Sequence, residues 1–354
     1  MDKSGLLDRY KRLLDEYSKY FRVILYTSDS NDFSKYLNVE HHFIRGLTNI
    51  WGLRHLFFFM WLIFQSPYMQ GVVKVVGSNI PTLFLVKWLS KSPMVVTYQF
   101  DYAGFAELTY GKGLRAIISR YMEKLALKPA DLILVTTPSL EAKIKSSYNK
   151  PTALIPNWVT VEEIHHIDFS DRDFNMILYA GRLHRTKGVN VLIEAVAHCV
   201  NIRPSSIRLV ICGAGEDRVH LEKLSHSLQV KTEFQGSLPN SEILHLMSKS
   251  AIFVLPTLTA EGHPKALIEA MACGMACVVS DVEGNNDLIQ NGKNGLIVPA
   301  NNVDALSIAI NKLLNDPALI YDLGVNAKKD SQVFDFHSVV SKEIQIFLSL
   351  SNKN

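Results

Sequence analysis

Short apolar runs separated by amphipathic stretches recur along the whole chain, and the period of their apolar positions assigns most of them. Leu6, Leu7, Tyr10, Leu13, Leu14 and Tyr17 fall on one side of a 3.6-residue spiral, which predicts an opening helix. FRVILY (21–26) reads as the first strand, followed by VVKVV (72–76), MVVTY (94–98) and DLILVTT (131–137), with helical patterns around 81–90 and 111–127. The pattern then restarts with MILYA (176–180), IRLVI (207–211), KTEFQG (231–236), AIFVLP (251–256), ACVVS (276–280) and GLIVP (295–299), again with helices between them. Short β-branched runs alternating with helices require right-handed crossovers and a parallel sheet covered on both faces. The expected architecture is α/β, with two doubly wound Rossmann-like parallel-sheet domains facing across a cleft and ligands at the carboxyl ends of the strands. The first domain is expected over 1–158 and the second over 175–335. The polar, acidic stretch 159–174, after an Ile-Pro break, is expected as the linker, and a last helix, about 336–352, as packing back on the first domain.

At 354 residues, with 47% apolar and 20% charged side chains, the chain suits two folded domains and not disorder. A net charge of +3 gives no reason to expect nucleic acid, although the charge is uneven: residues 1–170 hold 20 basic and 15 acidic side chains, the remainder 17 and 19. Cys199, Cys212, Cys273 and Cys277 match no metal-ligand spacing and read as reduced core thiols of a cytoplasmic protein. The charged, amphipathic start has no signal-peptide core. HLFFFMWLIF (55–64) is about half a membrane span. It suits a buried helix or an interfacial one beside Arg45, Arg54 and Lys74, with peripheral contact at the cytoplasmic face of a membrane.

Candidate chemistry lies in the second half. In AEGHPKALIEAMACG, Pro264 suits a first helical position and Gly274 the residue past the end. Leu267, Ala270, Met271 and Gly274 would face a core, leaving Glu269 on the open face and Glu261 in the preceding loop. Unpaired N–H groups at such a helix start attract an anion. Two flanking carboxylates therefore suggest a polyhydroxylated ligand that carries phosphate; a surface helix with two solvated acids is the plainer alternative. In YAGRLHRTKG, Arg182 and Lys187 would flank another helix start, an arrangement that favours a diphosphate, although a basic loop with surface charges is the plainer alternative for this motif alone. Gly213 and Gly215 in ICGAGE fit either a tight turn or close passage of a nucleotide, and Gly236, Ser237 and Leu238 in FQGSLPN end a neighbouring strand where backbone groups can meet a base.

From roughly 150 to 335 the order and spacing of IPNWV (155–159), YAGRLHRTKG, ICGAGE, FQGSLPNSEI, LPTLTAEGHPKALIEAMACG, VVSDVEGNNDLI and NGKNGLIVP resemble the retaining glycosyltransferases of family 4, with the GT-B fold. The resemblance implies that Arg182 and Lys187 hold the donor diphosphate, that Glu261 contacts the transferred sugar and acts in catalysis, and that Glu269 binds the ribose. It also implies that backbone groups of Gly262, His263, Lys265, Ala266 and Leu267 meet sugar and phosphate; Pro264 has no N–H to give. The implied activity is transfer of a hexose-type sugar from a UDP- or GDP-sugar to a saccharide or lipid-linked glycan. Fixed cations would stabilise the leaving diphosphate, so no metal and no cofactor are expected. Asp171 and Asp173 have the DxD spacing of metal-dependent transferases but fall in the expected linker, as do His165 and His166, read as solvent-facing.

Residues 1–150 match less well, because the chain opens with a helix where relatives have a strand and a glycine-rich loop. Where many relatives carry a His after the strand equivalent to MVVTY, Gln99 and Asp101 are the acceptor-side candidates. Gln99 hydrogen-bonds but relays no proton, so the leaving phosphate would take the acceptor's proton. The rival readings are a nucleotide-sugar epimerase or phosphorylase of the same architecture, and a non-catalytic partner subunit.

Overall fold

The computed structural model describes residues 6–27, 39–43, 60–76, 83–101, 103–104, 106–107, 111, 113–164, 168–202 and 207–351. They form two compact units, one of residues 6–155 with 340–351 and one of residues 156–339.

In the first unit, helix α1 (Leu6–Ser18) leads into β1 (Val23–Thr27), which pairs in parallel with β2 (Val39–Phe43). A separate four-stranded parallel sheet holds β3 (Val73–Val76), β4 (Met94–Tyr98), β5 (Leu132–Val135) and β6 (Thr152–Leu154) in chain order. Its crossovers are α2 (Leu83–Ser90), α3 (Leu114–Leu127) and α4 (Pro138–Tyr148). All five residues of β4 are buried, as an inner parallel strand requires, and Met94, Val96, Tyr98, Ile133 and Val135 meet Leu83, Val86, Leu127 and Leu140 in the core. Pro138 at the start of α4 and a Thr137 side chain that accepts from Leu140 N, 3.2 Å away, explain where that helix begins. Strands β2 and β6 were not anticipated: VEHHF is too polar to read as a strand, and TAL is three residues long.

Of the apolar stretch 55–64, residues 55–59 lie outside the described residues. Residues 60–64 are helical, with Met60 and Phe64 exposed, so this part is not a buried helix. Arg45 and Arg54 also lie outside the described residues. Lys74 is engaged elsewhere: its Nζ is 2.6 Å from Glu343 Oε1, and it donates to Tyr17 Oη at 2.9 Å. Among the described residues no helix is long and apolar enough to cross a membrane.

The second unit is built on one six-stranded parallel sheet of β7 (Asp173–Ala180), β8 (Arg208–Cys212), β9 (Thr232–Gly236), β10 (Ser250–Leu255), β11 (Ala276–Ser280) and β12 (Leu296–Val298). Its order is β12-β11-β10-β7-β8-β9. The chain runs outward from β7 to β9, returns to the centre at β10 and runs outward the other way. Helices α5 (Val189–Ile202), α6 (Arg218–Ser227), α7 (Asn240–Lys249), α8 (Lys265–Ala272), α9 (Val303–Asn315) and α10 (Pro317–Ser331) cover it. The neighbours β7 and β10 are where the strand order reverses, the place in such a sheet where ligands bind beyond the carboxyl ends of the strands.

Residues 156–172, most of which were expected as linker, belong to this unit. Trp158 packs edge-on against Phe336 at 4.6 Å, Val159 bridges to Asp335, and Ile164 and Phe169 lie on the core. Strand β7 begins at Asp173, whose Oδ2 accepts from Arg208 at 3.1 Å, while Asp171 is exposed and Arg172 donates to the carbonyls of Cys273 and Gly274. His165 and His166 lie outside the described residues. The last helix, α11 (Phe336–Ser351), passes from the second unit into the first at Val340.

Candidate functional site

The carboxyl edge of the second unit's sheet is held by backbone contacts that only glycine permits. Gly181 N donates to Cys212 O (2.9 Å), Leu183 N to Ala214 O (3.0 Å) and Gly213 N to Gly236 O (2.7 Å), which joins the loops after β7, β8 and β9. A Cβ on Gly213 would stand 1.8 Å from the Gly181 carbonyl oxygen, and one on Gly215 1.9 Å from that of Leu183. These two glycines serve loop-on-loop packing. Gly236 differs: it has φ +72°, and a Cβ there would meet only the Arg218 guanidinium. Ser237 beside it is exposed, and Leu238 leans on the core.

Lys187 and Glu261 meet across the switch point. Lys187 ends a 3₁₀ turn (Arg185–Lys187) and Gly188 follows at φ +64°, its missing Cβ leaving room for the Pro256 carbonyl. Leu258 N and Thr257 Oγ1 donate to Thr186 O at 2.8 and 3.2 Å, fixing the loop after β10 to the loop after β7. On the other side Glu261 N donates to Glu283 O at 2.9 Å, and Gly284 packs against the Glu261 backbone. Within this frame the Lys187 ammonium is ion-paired with Glu261 Oε1, both side chains being mostly buried. Arg182 is exposed on the same loop, its carbonyl accepting from Tyr179 Oη at 2.9 Å. Burial pushes the Tyr179 hydroxyl pKa up, the Glu261 charge adds to this, and the Arg182 charge opposes it, so both charges lie within reach of that phenol.

Helix α8 starts after Pro264. Leu267 N and Ile268 N both donate to Pro264 O, at 3.1 and 3.2 Å. The Leu267 N–H, expected to face a ligand, is therefore taken, and the N–H groups of Lys265 and Ala266 are those without an intrahelical acceptor. Gly262 and His263 are buried. His263 Nδ1 accepts from Asn157 N at 3.1 Å and its carbonyl from Asn157 Nδ2 at 2.7 Å, while Phe334 packs on its ring. An accepting Nδ1 leaves the ring proton of the neutral imidazole on Nε2.

Glu269 corrects the expectation of an open helix face. It is 6% exposed, because α8 is covered by α7 on one side and α10 on the other and every residue from Leu267 to Ala272 is buried. Its Oε1 accepts from Asn240 Nδ2 at 3.0 Å and is ion-paired with Lys265 Nζ at 3.0 Å, while Lys265 donates to Asn240 Oδ1 at 2.6 Å. Glu269 is thus held in a closed triad beside the helix start.

In the first unit, Gln99 is exposed at the end of β4, while Asp101 is engaged. Asp101 is ion-paired with Lys143 and accepts from Gly104 N at 2.7 Å. Behind it the fully buried Glu123 accepts from Tyr98 Oη (2.9 Å) and Tyr148 Oη (2.5 Å). Burial, then the Glu123 charge, raises the Tyr98 hydroxyl pKa.

Three residues that set this geometry were not singled out in the sequence: Tyr179, Asn157 and Asn240. Asn157 and Asn240 stand inside quoted segments, IPNWV and FQGSLPNSEI, but an asparagine there carries no signal until its partner His263 or Glu269 is brought to it. Among the described residues no three His, Cys, Asp or Glu side chains converge as a metal site.

Residues 160–330, most of the second unit, match the model of the family described as glycosyl transferases group 1. An uncharacterized glycosyltransferase of Methanocaldococcus jannaschii is 26% identical over 341 residues, covering 87% of this chain and 86% of that protein. The UDP-Gal:alpha-D-GlcNAc-diphosphoundecaprenol alpha-1,3-galactosyltransferase of Escherichia coli is 29% identical over 236 residues, covering 61% of this chain and 59% of that protein. Among solved structures, sucrose-phosphate synthase of Thermosynechococcus elongatus superposes with a TM-score of 0.80 at 21% identity, covering 98% of this chain and 94% of that one. The fold is therefore that of the two-domain GT-B glycosyltransferases, and the family model and the relatives' names are those of glycosyltransferases.

Proposed function

We propose that the chain is a retaining glycosyltransferase that moves a hexose-type sugar from a UDP- or GDP-sugar to a saccharide or lipid-linked glycan acceptor without a metal. The observation that carries this reading is the Lys187–Glu261 ion pair, built beyond the carboxyl ends of β7 and β10, with Arg182 on one side and the start of α8 on the other. The name of the E. coli relative, with a UDP-sugar donor and a diphosphoundecaprenol-linked acceptor, supports the donor and acceptor classes.

Breaking the bond between the sugar and the diphosphate puts negative charge on the leaving oxygens. Lys187, held in place by Glu261, and Arg182, exposed on the same loop, supply the positive charge that meets it. The Lys265 and Ala266 N–H groups add two donors at a positive helix end. Glu261, freed by the diphosphate's claim on Lys187, accepts from a sugar hydroxyl and bears on the positive charge that develops at the sugar ring. Glu269 keeps one carboxylate oxygen for ribose hydroxyls, since both Asn240 and Lys265 use Oε1. The leaving phosphate takes the acceptor's proton.

The test is transfer from UDP- and GDP-sugars by Glu261→Ala beside the unaltered chain. The carboxylate's removal is expected to lower turnover roughly 10²- to 10³-fold, the loss seen when one charge-stabilising group is deleted from an enzyme site. Turnover equal to that of the unaltered chain overturns the reading. Free epimerised nucleotide sugar or a sugar phosphate, in place of a glycoside, replaces it with another reaction.

A further inference from the structure

The turn that carries Lys187 has little of its own to hold it. Arg185–Lys187 is a single 3₁₀ turn without a buried side chain, so core packing does not fix it. Its own backbone closes two hydrogen bonds, Lys187 N to His184 O at 2.8 Å and Gly188 N to Arg185 O at 3.2 Å. The Thr186 N–H is among the donors that such a start leaves without a backbone partner, and a side chain takes it. His184 Nδ1 accepts from Thr186 N at 3.2 Å and lies 2.8 Å from Thr186 Oγ1, whose hydroxyl can donate to the same nitrogen. His184 is extended, at φ −134° and ψ 145°, and is the N-cap of this turn, a place usually given to Ser, Thr, Asp or Asn.

A histidine does here what the shorter caps do not. With Nδ1 accepting, the neutral ring carries its proton on Nε2, and Nε2 stands 3.4 Å from Glu216 Oε1 on the loop after β8. One side chain therefore joins the turn that ends in Lys187 to the loop that holds Gly213 and Gly215. From the opposite direction, the loop after β10 grips the same residue, since Thr186 O receives Leu258 N at 2.8 Å and Thr257 Oγ1 at 3.2 Å. Thr186 is thus held through its N–H by His184 and through its carbonyl by a second loop, and Lys187 is the next residue. The lysine ammonium ends a flexible four-carbon stem, so the place it can reach depends on where its backbone is held. In the resting chain Glu261 also holds it. Once a diphosphate takes the place of Glu261, the anchored turn is what remains.

We propose that His184 is a positioning residue for the donor diphosphate: it caps the turn, fixes Thr186 and so places the Lys187 ammonium. This rests on the reading of Lys187 as a cation of the diphosphate site, and it adds a residue that acts through Lys187 and not on the substrate.

The experiment is calorimetric titration of the full chain with UDP and with GDP, carried to millimolar ligand, the tighter of the two then serving for the variants. His184→Ala is expected to weaken binding about tenfold, within the range of a lost cap, and His184→Asn, whose side-chain oxygen can accept from Thr186 N, to restore it to within about twofold. The decisive comparison is with Lys187→Ala. Because His184 acts through Lys187, adding His184→Ala to Lys187→Ala is expected to cost no further affinity, whereas a general loosening of the fold would weaken binding by the same factor in both backgrounds. The His184 side chain is 35% exposed, and a melting curve accompanies each variant. Should His184→Ala fail to fold, Glu216→Ala, at a side chain 73% exposed, tests the same contacts: a loss of about twofold is expected, and it too vanishes in the Lys187→Ala background. Affinity equal to that of the unaltered chain, no restoration by asparagine, or a loss that adds to that of Lys187→Ala would each overturn the inference and leave the glycosyltransferase reading standing. If the unaltered chain binds neither UDP nor GDP, the donor reading falls, and this inference with it.

Discussion

Glu261 and Glu269 look alike in the sequence but sit in different chemical settings. Glu261 pairs with a lysine from another loop and can exchange that partner for a diphosphate. Glu269 is locked by a hydrogen bond from Asn240 and an ion pair with Lys265. This difference makes Asn240 a positioning residue: Asn240→Ala removes the hydrogen bond to Glu269 Oε1 and leaves Lys265 with its ion pair to Glu269 alone of the two contacts. Donor affinity is expected to fall about tenfold, as when a partner that orients a binding group is lost, while melting of the free protein changes by only about 1 kcal/mol. Calorimetric titration with a nucleotide sugar, beside thermal melting, separates the two effects; equal affinity would show that Glu269 needs no such support. The cysteines are a second case decided residue by residue. Burial pushes the thiol of Cys199 up to about 11 and those of Cys212 and Cys273 up to about 12. The folded chain therefore keeps protons that the unfolded chain releases, so this contribution to stability is complete below the ordinary thiol pKa near 9 and is lost as the pH rises towards 12. Ellman's reagent at neutral pH is expected to find none of the four thiols until denaturant is added, and the urea midpoint to drop between pH 9 and pH 11.

Among the elements, the strands that carry the site could be read to within three residues, and the loops that shape it could not. ACVVS was expected as a strand and is β11, because five consecutive buried positions leave an apolar run that no amphipathic helix would have. ICGAGE shows the opposite. Two glycines after a strand fit a tight turn or the close passage of a nucleotide equally well, and what requires glycine here is the Gly181 and Leu183 carbonyls, which come from a loop about thirty residues away. Gly213→Ala is expected to destabilise the second unit by about 3 kcal/mol or more, since the added methyl meets backbone that cannot retreat and the residue keeps a φ suited to glycine. Urea unfolding measures this, and a change within about 0.5 kcal/mol, the range of an ordinary surface substitution, would refute it. The α8 helix teaches a related lesson. Its core stripe was legible from the spacing of Leu267, Ala270 and Met271, yet the inference that Glu269 faces solvent failed, because α7 and α10 cover the remaining sides and periodicity alone does not count a helix's neighbours.

For the whole molecule, the two units have separate cores, and the chain end belongs to the first of them. Glu343 near that end accepts from Tyr17 Oη at 2.5 Å and pairs with Lys74, while Phe347 packs edge-on against Tyr17. Burial, together with the Glu343 charge, raises the Tyr17 hydroxyl pKa well above its usual value, which keeps it a proton donor throughout the physiological range. Glu343→Gln leaves a largely buried ammonium without its carboxylate, and is expected to destabilise the first unit by about 3 kcal/mol. Hydrogen exchange should register faster opening in α1 and β3 and little change in β7 and β10; uniform change in both units would show that the helix end is not local to the first.

The sequence by itself determined the repeated strand–helix alternation, the restart that makes two parallel-sheet units, and the segments that hold the candidate chemistry. These depend on composition and period over a few residues, which local sterics and burial translate directly into elements. Only the tertiary structure decided which groups meet: that Lys187 pairs with Glu261 and not with solvent, that Glu269 is enclosed by Asn240 and Lys265, and that Asp173 serves Arg208. Each of these results from strand order and helix stacking, which bring together residues far apart in the chain at distances no local pattern encodes.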